Sequence, residues 1–330
     1  MLQRVSVGLV AVAALLTVAL LDGLLAQRYG EWHLPPAFAR GSLVPIAVAS
    51  LMAIAGIELA WMCRKAGHHP HTPWAVLMIV ALVISPWLCA AGVLGDGVAD
   101  VEALPWQMML VIVGVAGTFL LHIIRGRRNT SLGDVAATTL IIIYLGLFPS
   151  FAVLMRSSFD LPEPDQGIWI LLCFLAVGFA ADVGALAVGL TIGKHRLAPS
   201  ISPKKSVEGF CGGILASVLV AAVLFWVSRS AGSGVAPAIE NFASKWQAIG
   251  FRATELFRRL DILQTIVFAV VISVSVQVGD LLESLLKRCA GVKDSSKLIP
   301  GMGGALDVVD GVVLAAPIAW LLLTRVWPVV

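Results

Sequence analysis

Long unbroken apolar runs, separated by short polar segments, dominate this chain. They lie near residues 5–27, 43–63, 73–94, 107–124, 133–155, 167–193, 208–230, 263–284 and 311–326. Their apolar residues follow no 3.6-residue stripe, so each segment is apolar all round rather than on one face. A run of about 18 such residues is long enough to cross the hydrocarbon of a bilayer as a helix. The pattern predicts an all-α integral membrane protein of about nine transmembrane helices. Arg4 precedes the first run as it would in a secretory signal. That run is too long for a signal core, and Leu24-Leu25-Ala26-Gln27 makes a poor cleavage site, so it is expected to be a retained span.

The polar connections alternate in sign. Arg64, Lys65, His68, His69 and His71 follow the second run; Arg125, Arg127 and Arg128 follow the fourth. Lys194, Arg196, Lys204 and Lys205 follow the sixth; Lys287, Arg288, Lys293 and Lys297 follow the eighth. The intervening connections carry Asp96, Asp100, Glu102, Asp160, Glu163 and Asp165. The basic set is expected on the cytoplasmic side. Residues 231–262 form the longest connection, with Phe242, Trp246, Phe251 and Leu256 interleaved with Lys245, Arg252 and Arg258. They read either as an amphipathic helix in the interface or as a solvated linker.

Composition agrees. The 330 residues are 59% hydrophobic and 13% charged, with a mean hydropathy of +0.94, against about half apolar and about a quarter charged in a soluble domain. The net charge of +3 is spread over many loops, so nucleic acid is not an expected partner. Cys63, Cys89, Cys173, Cys211 and Cys289 are scattered without a CxxC pair and read as small packing residues.

Two segments carry candidate chemistry. Residues 284–310 read SLLKRCAGVKDSSKLIPGMGGALDVVD, a cluster of charge that hydrocarbon does not tolerate and that must lie in water or line a wet cavity. Asp280, Glu283 and Lys287 share one helical face at i, i+3 and i+7, and Asp307 and Asp310 share another at i, i+3. Such carboxylates, with phosphate oxygens, are the usual ligands of Mg²⁺; the alternative for Glu283 is a salt bridge to Lys287. In the second segment Asp182 lies inside an apolar run with Gly184, Gly189 and Gly193, and Ser202-Pro203-Lys204-Lys205 precedes Glu208-Gly209. Ser206 is placed to cap the helix that restarts there. Lys204 and Lys205 serve either as phosphate contacts or as simple markers of the cytoplasmic face.

Together these segments resemble the phosphatidate cytidylyltransferase (CDP-diacylglycerol synthase) family. Its S-x-x-K-R-x₄-K-D-x₃-[LIF]-P-G-H-G-G-x-L-D-R-x-D signature stands here as Ser284, Lys287, Arg288, Lys293, Asp294, Ile299, Pro300, Gly301, Met302, Gly303, Gly304, Leu306, Asp307, Val308 and Asp310. Its S-P-K-K-[ST]-x-E-G element stands as Ser202 to Gly209. The likeness is good over about residues 180–315, and rests on hydropathy alone in the first half. Met302 replaces the family's histidine, Val308 its arginine, and Gly311 the serine that often follows.

The resemblance implies transfer of CMP from CTP to phosphatidic acid, giving CDP-diacylglycerol and pyrophosphate, with Mg²⁺ as cofactor. It implies Asp280, Asp307, Lys293 and Lys205 in catalysis, with Lys204, Arg288, Ser202, Gly301, Gly303 and Gly304 on the substrates. Asp280, Asp307, Asp310 and Glu283 are the expected metal ligands, with Asp182 close by. A bacterial inner (plasma) membrane is the expected location, the polar cavity facing the cytoplasm, and a homodimer is compatible with it. Residues 1–165 are expected to form N-terminal membrane helices and 166–330 the catalytic membrane region. The rival readings are a CTP-dependent polyprenol kinase, a transporter, and a catalytically impaired relative or scaffold.

Overall fold

The structure is a computed structural model that describes residues 17–19, 21–23, 41–94, 99–126, 131–158, 166–230, 257, 259–296 and 303–327. Among the described residues from 41 onward, nine longer α-helices and one small hairpin follow in order: α1 Leu43–Lys65, α2 Thr72–Ala90, α3 Ala99–Arg125, α4 Leu132–Ile142, α5 Phe148–Ser158, α6 Gln166–Ile192, β1 Arg196–Ala198, β2 Ser202–Ser206, α7 Val207–Ser230, α8 Ile262–Cys289 and α9 Leu306–Leu321. A π-helical turn, Ile143–Leu147, joins α4 to α5, and a second, Leu322–Val326, extends α9. Counting α4 through α5 as one span, eight described helices are long and apolar enough to cross a membrane. They match the second to ninth predicted runs. Of the first run only residues 17–19 and 21–23 are described, as helix. The 231–262 connection lies almost wholly outside the described residues.

The helix ends follow from local chemistry. Ser131 and Asp134 close a reciprocal capping box on α4, and Asp261 and Gln264 do the same for α8. Gly291 ends α8 at φ 65°, a left-handed conformation that glycine adopts without a Cβ penalty. The α8 helix thus runs to Cys289, and α9 begins at Leu306. Lys287, Arg288, Asp307 and Asp310, read from sequence as loop charges or helix-bracketing residues, therefore stand on the helices themselves.

Packing joins the two halves of the chain. One core gathers Leu154, Phe174, Phe268, Ile272 and Trp320 from α5, α6, α8 and α9. The other gathers Leu59, Ile79, Ile141, Leu145, Leu306 and Val313 from α1, α2, α4, the π-turn and α9. Helix α9 contributes to both. The α6–α7 pair meets backbone to backbone: a Cβ on Gly184 would lie 2.7 Å from the Gly212 carbonyl oxygen. Small residues allow such close approach where lipid offers no hydrophobic drive between helices.

The N-terminus of α1 has no cap of its own, because Ser42 makes no side-chain cap bond. Asp22 supplies it from outside: Oδ1 accepts from the amides of Leu43 (2.7 Å) and Val44 (3.2 Å), and Oδ2 meets Arg156 Nε at 2.9 Å. Both charged side chains are almost fully buried. Removing one member of such a pair strands the other. Arg156→Met is expected to cost about 3–5 kcal/mol, read as a lower melting temperature in detergent, and the Asp22→Leu/Arg156→Leu double variant should recover part of that loss.

Candidate active site

The connections α1–α2, α3–α4, α6–α7 and α8–α9 all emerge on one face, by the parity of the spans. They are tied in pairs. Arg125 Nη1 donates to the His69 carbonyl at 3.0 Å, and Arg288 Nε to the Ile201 carbonyl at 3.1 Å. Between the last two connections lies a cavity of about 580 Å³, walled by α6, the hairpin, α7, α8 and the start of α9. That is the size of a small-molecule pocket. Asp182, Lys204, Lys205, Asp280, Asp307 and Asp310 all reach its wall, beside Leu186, Leu190 and Phe210. Asp182, inside an apolar run by sequence, is exposed there rather than buried.

Three carboxylates converge. Asp280 and Glu283 sit one turn apart on α8, Asp310 comes from the first turns of α9, and a ligand oxygen from each lies within 4.8 Å of the other two. The helices meet closely enough for this because Gly279 and Gly311 face each other: a Cβ on Gly279 would lie 2.9 Å from the Gly311 carbonyl. Glu283 is fully buried; its Oε1 has no hydrogen-bond donor, and its Oε2 faces the Lys287 ammonium. A buried carboxylate oxygen without a donor, beside two more carboxylates, is unfavourable as a charge unless a cation or a proton joins it. The residues present therefore fit a hard divalent cation. Lys205 Nζ approaches the opposite side of the group, 2.5 Å from Asp280 Oδ2.

Asp307 is placed differently from the other expected ligands. Its Oδ1 meets Lys287 Nζ at 2.7 Å. Its Oδ2 accepts from Ser295 Oγ (2.6 Å), the Ser295 amide (3.1 Å) and the Gly304 amide (2.7 Å). It stands beside the three-carboxylate group, with Lys287 bridging to Glu283, so the expected ion pair of Glu283 and Lys287 coexists with the cluster. The Gly304 amide, expected to face a triphosphate, is donated to Asp307 instead, and Gly303 takes φ 104° to make the turn. Gly301 and Met302 lie outside the described residues.

The remaining residues expected on substrate divide. Lys204 lines the cavity. Arg288 is held by Ile201; Ser202 starts β2 opposite Ala198, and Lys293 is exposed in the α8–α9 connection, all three away from the cavity wall. Ser206 does cap α7, accepting from the Gly209 amide at 3.1 Å. Glu208 accepts from His195 Nδ1 (2.6 Å) and from the Lys194 amide (3.0 Å), which closes the base of the hairpin.

Two residues near the site come from the first half and were not read from sequence. Tyr144, in the π-turn, donates its hydroxyl to the Asp310 carbonyl at 3.4 Å. Glu58, within α1, reaches the α8–α9 connection. Glu58 was visible as an acidic residue inside an apolar run, the signal that singled out Asp182.

Membrane-length helices, a polar cavity at their basic face and clustered carboxylates beside lysines define a membrane-embedded site suited to a divalent cation and a phosphorylated ligand. The family model described as the cytidylyltransferase family matches residues 34–326, and the chain belongs to that family. It is 35% identical over 197 residues to the phosphatidate cytidylyltransferase of Mycobacterium bovis, covering 58% of this chain and 52% of that protein. It is 34% identical over 180 residues to the protein of that name from Haemophilus influenzae, covering 54% of each. With the one from Staphylococcus haemolyticus it shares 29% over 232 residues, 70% of this chain and 73% of the relative. The chain spans about half the length of the mycobacterial relatives it matches.

Mn²⁺, visible by electron paramagnetic resonance, tests the carboxylate group directly. Asp310→Asn and Glu283→Gln should each weaken its binding about 10-fold or more, since even the outer partners of a bound ion are worth that much. Asp134→Asn, in the remote α4 capping box, should leave binding unchanged.

Proposed function

We propose that this protein transfers CMP from CTP to phosphatidic acid, releasing pyrophosphate and leaving CDP-diacylglycerol in the membrane. The observation that carries this reading is the meeting of Asp280, Glu283 and Asp310 beside Lys205, with Asp280 and Asp310 on the wall of a cavity that also has apolar lining. Family membership and the names of the relatives support it.

The nucleophile is a phosphate monoester, anionic near neutral pH, so no side chain has to deprotonate it. One of its oxygens attacks the α-phosphorus of CTP; the bond from that phosphorus to the β-phosphate bridging oxygen breaks, and pyrophosphate departs with the electron pair. Met302 in place of a histidine is compatible with this chemistry. Asp280, Glu283 and Asp310 would hold Mg²⁺, which when bound supplies neutralisation of the triphosphate and of the leaving pyrophosphate. Lys204 and Lys205 present fixed positive charge where negative charge accumulates. Asp307 sets Lys287, Ser295 and Gly304 at the edge of the site. Leu186, Leu190 and Phe210 give the lipid end of the acceptor an apolar wall.

The four basic connections support a cytoplasmic orientation of the cavity, and the bacterial sources of the relatives support the plasma membrane of a bacterium.

Purified protein incubated with CTP, Mg²⁺ and phosphatidic acid should release pyrophosphate and form CDP-diacylglycerol in equal amounts. Asp280→Ala should lower turnover by about 10³-fold or more, and Met302→Ala by less than about 10-fold. Release of CDP in place of pyrophosphate would make the protein a CTP-dependent lipid kinase instead.

A further inference from the structure

Glu58 is an acidic side chain in the middle of a membrane-length helix, and it is buried. It lies seven residues before the basic end of α1, roughly 10 Å along the helix axis. Its donors all come from the α8–α9 connection. Oε1 accepts from Ser296 Oγ (2.6 Å) and the Ala305 amide (3.1 Å); Oε2 accepts from the Leu306 amide (2.9 Å) and lies 3.2 Å from Ser295 Oγ. Ser295 and Ser296 precede residues 297–302 in the sequence, and Ala305 and Leu306 follow them.

Asp307 repeats the pattern one layer away, taking the amides of Ser295 and Gly304 from the same two sides. Ser295 Oγ lies between the two carboxylates. It has one proton, and the 2.6 Å contact to Asp307 against 3.2 Å to Glu58 directs that proton to Asp307. Gly304 is confined by Glu58: a Cβ there would stand 2.6 Å from Oε1. Ser295 and Ser296 on one side and Gly304 to Leu306 on the other are thus joined by two carboxylates, one from α1 and one from α9. A helix N-terminus also favours a carboxylate, and Glu58 sits on the first amides of α9.

We propose that Glu58 is a positioning residue for the nucleotidyl-transfer site. It fixes the Ala305 and Leu306 amides, and through Ser295 and Gly304 it sets Asp307 and Lys287 against the carboxylate group. This role rests on the functional reading above. Charge-assisted hydrogen bonds are the strong ones, and misplacement of a site by about 1 Å costs on the order of 10²-fold in rate. An α1 carboxylate would make the first half of the chain part of the reaction centre without touching substrate.

The test uses the full-length protein in detergent with phosphatidic acid, CTP and Mg²⁺, together with amide hydrogen exchange. Glu58→Gln keeps the shape but presents an NH₂ group to two of the donors. It should lower kcat about 10- to 100-fold, leave the KM for phosphatidic acid within about 2-fold, and raise the KM for CTP. Glu58→Asp should recover part of the loss. Exchange at the Ser295 and Gly304 amides should quicken about 10-fold or more, although these amides bond to Asp307 and not to Glu58. Faster exchange confined to Ala305 and Leu306, with kcat per folded protein within about 3-fold of the parent, would overturn the proposal and leave Glu58 a local cap. A parent protein that makes no CDP-diacylglycerol would instead overturn the functional reading, and the exchange pattern would still decide whether Glu58 holds Asp307.

Discussion

A carboxylate among membrane helices has to be met by donors or cations, because hydrocarbon offers neither. This constraint organises the molecule. Asp22 is met by Arg156 and two amides at the start of α1. Asp307 is met by Lys287, Ser295 and Gly304. Glu58 is met by the Ser296 hydroxyl and two amides. Asp280, Glu283 and Asp310 are met only in part, by Lys205, Lys287 and the Gly311 amide. They face one another, and Glu283 keeps a buried oxygen without a donor. Where the other carboxylates are met by donors and this group is only partly met, the proposed Mg²⁺ would supply the missing positive charge.

Helix α9 turns this electrostatic arrangement into architecture. Its first turn carries Asp307, its second Asp310, and its buried face joins both hydrophobic cores. Glycines at 279 and 311 let α8 approach until the acidic faces meet. Apolar packing therefore supplies the force that holds like charges together, and Lys205 and Lys287 offset part of their repulsion. All of these charged and glycine residues lie in the second half of the chain, and the first half contributes to the packing of α9.

The spans were legible because hydropathy over about 20 residues is a strong signal, and the starts of α1 and α7 fall within a residue of the predicted runs. The i, i+3 spacing put Asp280 with Glu283, and Asp307 with Asp310, on common faces; spacing within one helix could not tell which residues of the two pairs would meet. Asp310 turned in to join α8, while Asp307 turned to Ser295. Arg288 and Lys293 carry the right charge in the right motif, yet fold geometry sends one to a hairpin carbonyl and leaves the other exposed. Contacts such as Glu58 with Leu306, 248 residues apart, have no local signature. Only the cost of an acidic residue inside an apolar run hinted at them.

The π-helical turn at Ile143–Leu147 has a further consequence. A π-turn places one more residue in a turn than an α-helix does, so it is geometrically equal to a single inserted residue whose flanking helices stay in phase. A relative with a regular helix here would align to this chain with a one-residue gap, leaving α4 and α5 superimposable and Tyr144 without its counterpart beneath Asp310. The tyrosine's reach toward the acidic group is thus a property of chain length at one point, open to gain or loss by a single codon without disturbing the surrounding bundle.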